Sequence, residues 1–174
     1  MTRRLRSGCP INRAIEVFGD PWSLLVIRDV MFGNRRTFGA LISESEEGIS
    51  TSVLASRLER LVDQGLLTRS EDPDHAQRVI YSLTERSIQL VPIFVHLAAW
   101  GRRHLDDLAP ELTVRAALLE EGGPELWEAF MEELRGIHLG SACEPGGDGV
   151  LARLDAAVRE AFEEAGADTG SGVR

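Results

Sequence analysis

The 174-residue chain is 43% hydrophobic and carries a formal net charge of −9, a length that suffices for one good core or a core with an appendage. No apolar run approaches the ~20 residues that span a bilayer, and no N-terminal segment has the layout of a signal peptide, so a cytoplasmic protein without membrane contact is expected. Two distant cysteines, Cys9 and Cys143, do not suggest a disulfide framework, and the four histidines form no zinc-finger spacing with them, so neither metal nor cofactor is expected.

The charge is uneven. Residues 1–100 hold 12 arginines against 12 carboxylates, whereas residues 101–174 hold 7 against 16, so the whole acidic excess lies in the C-terminal part. Arg3, Arg4 and Arg6 form a basic N-terminal arm without periodicity, a segment free to lie near phosphates. Cys9-Pro10 follows, and Ile11, Ile15 and Phe18 recur at helical spacing, which predicts a short amphipathic helix over 12–18. Gly19-Asp20-Pro21 is a helix start, with Asp20 as cap and Pro21 where a missing N–H costs nothing. Trp22 to Met31 is apolar nearly all round and predicts the central buried helix. After the turn Phe32-Gly33-Asn34, Arg35 to Phe38 reads as a short extended piece, with Thr37 capping a helix through Leu41 and Ile42. Residues 43–48 form a polar turn.

Next comes a helix capped by Ser50 and running to about Gln64, where Gly65 stops it. Leu54, Leu58 and Leu61 make its apolar stripe. The other face carries Thr51, Ser52, Ala55, Ser56 and Arg60, with Arg57 and Glu59 toward the edges. Its small side chains leave the N-terminal end slim enough for a DNA major groove; a Ser-rich solvated face is the plain alternative. Residues 66–70 and 78–83 read as two strands joined by a polar tip over 71–77. Three helices followed by a hairpin is the order of a winged helix-turn-helix, with the tip as the wing beside the groove. Thr84 is expected to cap a long helix over 87–105 whose apolar face is Leu90, Ile93, Phe94, Leu97 and Trp100, kinked at Pro92. Such a face is expected to pack on a second copy of the chain, or else under the C-terminal tail. Three further helical patterns cover 111–121, 124–139 and 148–165. The fold class is therefore mainly α with a small β-hairpin: a winged helix-turn-helix domain over 1–108 including the long helix, an acidic helical C-terminal extension over 109–167, and a disordered tail over 168–174.

With these residues in place, the chain resembles the HxlR-type winged-helix transcription regulators of bacteria. The resemblance covers about residues 9–104. It rests on Cys9-Pro10, Gly19-Asp20-Pro21-Trp22 through Asp29, Arg35 to Phe38, Gly48-Ile49-Ser50, Val53 to Leu58, Gly65-Leu66-Leu67, Tyr81 to Glu85 and Ala99-Trp100-Gly101. It implies a cytoplasmic homodimer on an inverted-repeat operator in double-stranded DNA. The helix from Ser50 would enter the major groove and the wing near His75 to Arg78 would meet the backbone. Dimer contacts would come from the N-terminal helix and the long helix after the wing. The wing tip departs from the family, many of whose members carry prolines there, and so does the extension past Trp100.

The candidate DNA-binding residues are Arg35, Arg36, Thr37, Ser50, Thr51, Ser52, Ser56, Arg57, Arg60, His75, Gln77 and Arg78. For Arg57 and Arg60 the alternative is an ion pair within the helix, with Glu59 or Asp63. For Arg35 and Arg36 it is surface solubility. In some family members the cysteine at the position of Cys9 senses oxidants or electrophiles, and a helix start near Arg6 and Arg13 suits a thiolate; a small apolar residue at a dimer interface is the alternative. Trp100, Trp127 and Phe130 are candidates for a small-molecule effector pocket, or simply core. Cys143 has no assigned role. The leading reading is a sequence-specific DNA-binding regulator, most simply a repressor. A winged-helix protein-interaction module is the second. No Ser/His/Asp order, phosphate-cradling glycine loop or metal-ligand cluster supports an enzyme.

Overall fold

The computed structural model of the chain describes residues 7–141 and 149–169. The arm arginines Arg3, Arg4 and Arg6, together with Cys143, Asp148 and residues 170–174 of the expected tail, lie outside the described residues. The chain forms two compact units, one up to Ser87 and one from Ile88 onward.

The first unit runs α1 (Pro10–Phe18), α2 (Ser23–Gly33), α3 (Phe38–Ser43), α4 (Thr51–Asp63), then strands β1 (Leu67–Asp72) and β2 (His75–Leu83). α2 is the hub, as its all-round apolar sequence predicts: Val26, Ile27, Val30 and Met31 are buried, and the helix packs on α4 and β2. Regular helix begins at Ser23, two residues beyond the expected Pro21. The cap is nonetheless Asp20, whose Oδ1 accepts the N–H groups of Trp22 and Ser23 at 3.0 and 2.9 Å. Thr37 caps α3, its hydroxyl accepting the Ala40 N–H, and Ser50 caps α4, its hydroxyl accepting the Val53 N–H. Leu54, Leu58 and Leu61 are all buried beneath α4. Gly65 takes φ +67, a left-handed conformation that glycine adopts without a Cβ clash, and the Leu66 N–H returns to the Leu61 carbonyl to close the helix end.

β1 and β2 pair antiparallel from Leu67↔Leu83 to Asp72↔His75, with an irregularity between Glu71 and Asp72. The strands extend further than their apolar residues indicate, so the connection is the pair Pro73-Asp74 rather than a seven-residue tip. Asp72 makes this turn, since its Oδ1 accepts the Asp74 N–H at 2.9 Å. Thr84 does not cap the next helix. Its hydroxyl donates to the Gly65 and Leu66 carbonyls, and its own N–H goes to Ser87 Oγ, so its side chain ties the end of α4 to the end of the hairpin.

α5 (Glu85–Ile88) is a single turn that crosses the junction of the two units. The second unit proper holds α6 (Val91–His104), α7 (Pro110–Leu139) and α8 (Val150–Thr169). The expected long helix is thus broken before Val91, and Pro92 sits in the first turn of α6 instead of kinking a helix interior. At that place the ring removes an N–H that no helical carbonyl needs. Along α6, Leu90, Phe94 and Ala99 are buried, but Ile93, Leu97 and Trp100 are about half exposed. α7 contains the expected break at Gly123, where φ 60 and ψ −164 leave the helical region and require glycine. Phe130 and Leu134 of α7 and Val150 and Leu154 of α8 form this unit's core.

Candidate nucleic-acid interface

The N-terminal half of α4 stands clear of its scaffold. Ser50, Thr51, Ser52, Ala55, Ser56 and Glu59 are all exposed, opposite the buried leucine stripe. Ser50 Oγ and Ser52 Oγ lie 3.3 Å apart. This is the slim hydroxyl-bearing surface that the sequence predicts, presented at a helix N-terminus whose amide dipoles favour anions.

The arginines behave differently. Arg57 Nη1 lies 3.3 Å and Arg60 Nη1 3.6 Å from Asp20 Oδ2, so both pair across helices and neither pairs within α4. Arg60 also donates through Nη2 to the carbonyls of Glu16 and Val17 at 2.7 and 3.4 Å. These carbonyls belong to the last turn of α1, where cationic donors are favourable. One side chain therefore fastens the N-terminal helix to the candidate recognition helix. Burial pushes the Asp20 carboxyl up, but hydrogen bonds from Ser23 and the Trp22 and Ser23 amides, with the Arg57 charge, outweigh it and hold it below its ordinary value.

Arg35 pairs with Asp29 and with Glu44. Arg36 donates to the Tyr81 carbonyl and to Ser82 Oγ, while its own carbonyl accepts the Tyr81 N–H at 2.7 Å. The extended piece before α3 is thereby laid against β2, and burial pushes the Arg36 guanidinium down from its ordinary value. Thr37, half-buried, is occupied as a cap. In the wing, His75 and Gln77 are exposed. Arg78 Nε lies 2.5 Å from Asp72 Oδ2. The Asp74 amide and then the Arg78 guanidinium hold Asp72 below the ordinary carboxyl range.

Two features lay outside the sequence reading. Arg28 Nη1 and Nη2 meet both oxygens of Glu47 at 2.6 and 3.0 Å, a two-pronged bridge from α2 to the turn before α4. It holds the Glu47 carboxyl low and raises the Arg28 guanidinium against its burial. Arg69, on the exposed side of β1, has no side-chain partner among the described residues. Its place on a strand beside the wing was the available signal.

Cys9 is exposed at the N-cap of α1, followed by Pro10. Nearby Arg13 reaches Glu16 at 3.5 Å. In the second unit, Phe130 is fully buried, Trp127 Nε1 donates to the Leu119 carbonyl, and Trp100 is 54% exposed. A cleft of about 270 Å³ lies elsewhere, between Leu118 and Leu126 of α7 and Val150, Arg153, Leu154 and Glu160 of α8. Among the described residues no His, Cys, Asp and Glu cluster could hold a metal ion, and no helix is long and apolar enough to cross a membrane.

The HxlR-like helix-turn-helix family pattern matches residues 17–109. Among curated relatives, the uncharacterized HTH-type transcriptional regulator sll1512 of Synechocystis sp. is 34% identical over 116 residues, 67% of this chain and 82% of the relative. Among solved structures, PA1607, described as a candidate transcription factor, is 29% identical with a TM-score of 0.54, covering 60% of this chain and 72% of the other. The redox regulator HypR in its reduced form is 25% identical with a TM-score of 0.50, covering 56% of this chain and 95% of that one. The relatives and fold neighbours are transcriptional regulators, not enzymes.

Proposed function

The chain belongs to the HxlR-like helix-turn-helix family, and from that premise we propose that it is a cytoplasmic regulator that binds an inverted-repeat operator as a homodimer and represses by occupying a promoter. The observation that carries this reading is the exposed Ser52/Ser56 face of α4, free of any covering element in its own unit. Thr51, Ser52 and Ser56 meet base edges or phosphates, and His75, Gln77 and Arg69 lie on the wing side. Arg35, Arg36, Arg57, Arg60 and Arg78 act first through the carboxylates and carbonyls that hold the elements in place. Their charge reaches phosphate only as far as those partners release it.

Two apolar faces support dimerisation. Ile11 and Ile15 of α1 are 70% and 60% exposed, and Ile93, Leu97 and Trp100 of α6 are 49%, 52% and 54% exposed. Each set recurs at helical spacing, and faces of that kind mark association surfaces. The exposed Cys9 supports a redox or electrophile signal, as does the likeness to a redox regulator. The acidic extension after residue 109 opposes phosphate contact by its charge. The engaged arginines favour one competing reading, a winged-helix module that binds protein. Titration of the duplex upstream of the gene, by fluorescence anisotropy at several salt concentrations, separates the two. A regulator binds it more tightly than a shuffled duplex, with affinity that falls steeply as salt rises. Weak, sequence-blind binding points to the module.

A further inference from the structure

Glu59 stands out on the groove face of α4, in its middle and not toward the edge where the sequence places it. Ser52, Ser56 and Glu59 occur at i, i+4 and i+7, one stripe opposite Leu54, Leu58 and Leu61. Ser52 to Glu59 spans about 10 Å of helix axis, within the ~12 Å width of the major groove. Glu59 is exposed and makes no ion pair or hydrogen bond with any described residue. The two arginines nearest in sequence do not neutralise it: Arg57 faces Asp20, and Arg60 faces Asp20 and the end of α1. The stripe is thus two short hydroxyls and one long, uncompensated anion.

A free carboxylate facing DNA is repelled by phosphate and lowers affinity for every sequence, unless a base offers it a proton. An ionised carboxylate accepts only. In the major groove the donors are the N4 amino group of cytosine and the N6 amino group of adenine, and adenine sets the acceptor N7 beside its donor. Guanine and thymine present acceptors. Cytosine is therefore the base whose edge a groove-facing Glu59 matches without a repulsive neighbour. We propose that Glu59 is a specificity-determining residue that selects a cytosine at one position of each operator half-site by accepting from its N4 amino group.

This inference rests on the DNA-binding reading above. The test is selection from a randomised duplex library with the full-length protein, its Glu59→Ala and Glu59→Gln variants, and Asp63→Asn as comparison. Asp63 is exposed and also without a partner among the described residues. It lies about 16 Å along the axis from Ser52, beyond the groove width and over the phosphates. Wild type is expected to enrich cytosine at one half-site position, with discrimination on the order of tenfold. Glu59→Ala flattens that position, and Glu59→Gln shifts it toward adenine, whose N6 and N7 an amide matches. Asp63→Asn tightens binding to all sequences alike and leaves the position intact. An unchanged position in both Glu59 variants overturns the assignment while leaving the regulator intact. If wild type enriches no sequence, the regulator reading falls as well, so the two failures are distinguishable.

Discussion

Arg60→Ala separates a structural arginine from a DNA-contacting one. The substitution removes a charged donor from the Glu16 and Val17 carbonyls and an ion pair with Asp20 at 3.6 Å. A hydrogen bond to a charged group contributes about 1.5–3 kcal/mol. The Arg60 side chain is 31% exposed, so water partly replaces it, and the Asp20 pair adds no more than about 0.5–1 kcal/mol. The expected loss is about 2 kcal/mol, or about 4–8 °C in Tm for a chain of this length. Arg60→Lys keeps the charge without the planar fork and should retain about half. Thermal melts by circular dichroism read the stability. Amide hydrogen exchange over residues 13–19 locates it, because α1 should lose protection before α4 does. A loss under about 0.5 kcal/mol in Arg60→Ala, with α1 protection unchanged, would refute the fastening role of Arg60. If operator affinity then fell, with a shallower salt slope, Arg60 would be a phosphate contact instead.

Three further outcomes follow from the same contacts. Asp20→Asn keeps one oxygen that can accept the Trp22 and Ser23 amides but removes the anion facing Arg57 and Arg60; salt titration of duplex binding should steepen by up to about one unit of slope, and an unchanged slope means these arginines do not reach phosphate. Glu47, held low first by the hydrogen bond from Arg28, is more acidic folded than unfolded, so its contribution is present above the unfolded pKa and fades as pH falls through the folded value; Glu47→Gln should be less stable than wild type at neutral pH, with the gap closing below about pH 4. In the third case, Leu97→Glu, in the exposed stripe of α6, should turn the proposed dimer into monomers by sedimentation velocity, whereas an unchanged dimer excludes that face as the contact.

Local signals carried most of the fold. Thr37, Ser50 and Gly65 each act through neighbours within five residues, so a cap or a stop can be read from the chain directly. The leucine stripe of α4 and the all-round apolarity of α2 were legible for the same reason. What escaped depends on partners distant in sequence. Asp20 reads as a cap, and is one, but nothing local shows that Arg57 and Arg60 converge on it. The bridge between Arg28 and Glu47 spans 19 residues. Thr84 has the composition of an N-cap, yet the nearby carbonyls of Gly65 and Leu66 take its hydroxyl. Pro92 fits a helix start as well as a kink, and the break before Val91 decides between them. Charge and helix position alone do not reveal that Arg35, Arg57, Arg60 and Arg78 also pair with carboxylates distant in sequence or across the hairpin.

The central claim is that the hydroxyl face of α4 is what DNA receives. Ser52→Glu combined with Ser56→Glu places two anions on that exposed face and touches no core contact. Fluorescence anisotropy on the upstream duplex should then show binding lost by at least about a hundredfold, with the circular dichroism melt preserved. Undiminished binding by the correctly folded double variant would contradict the account.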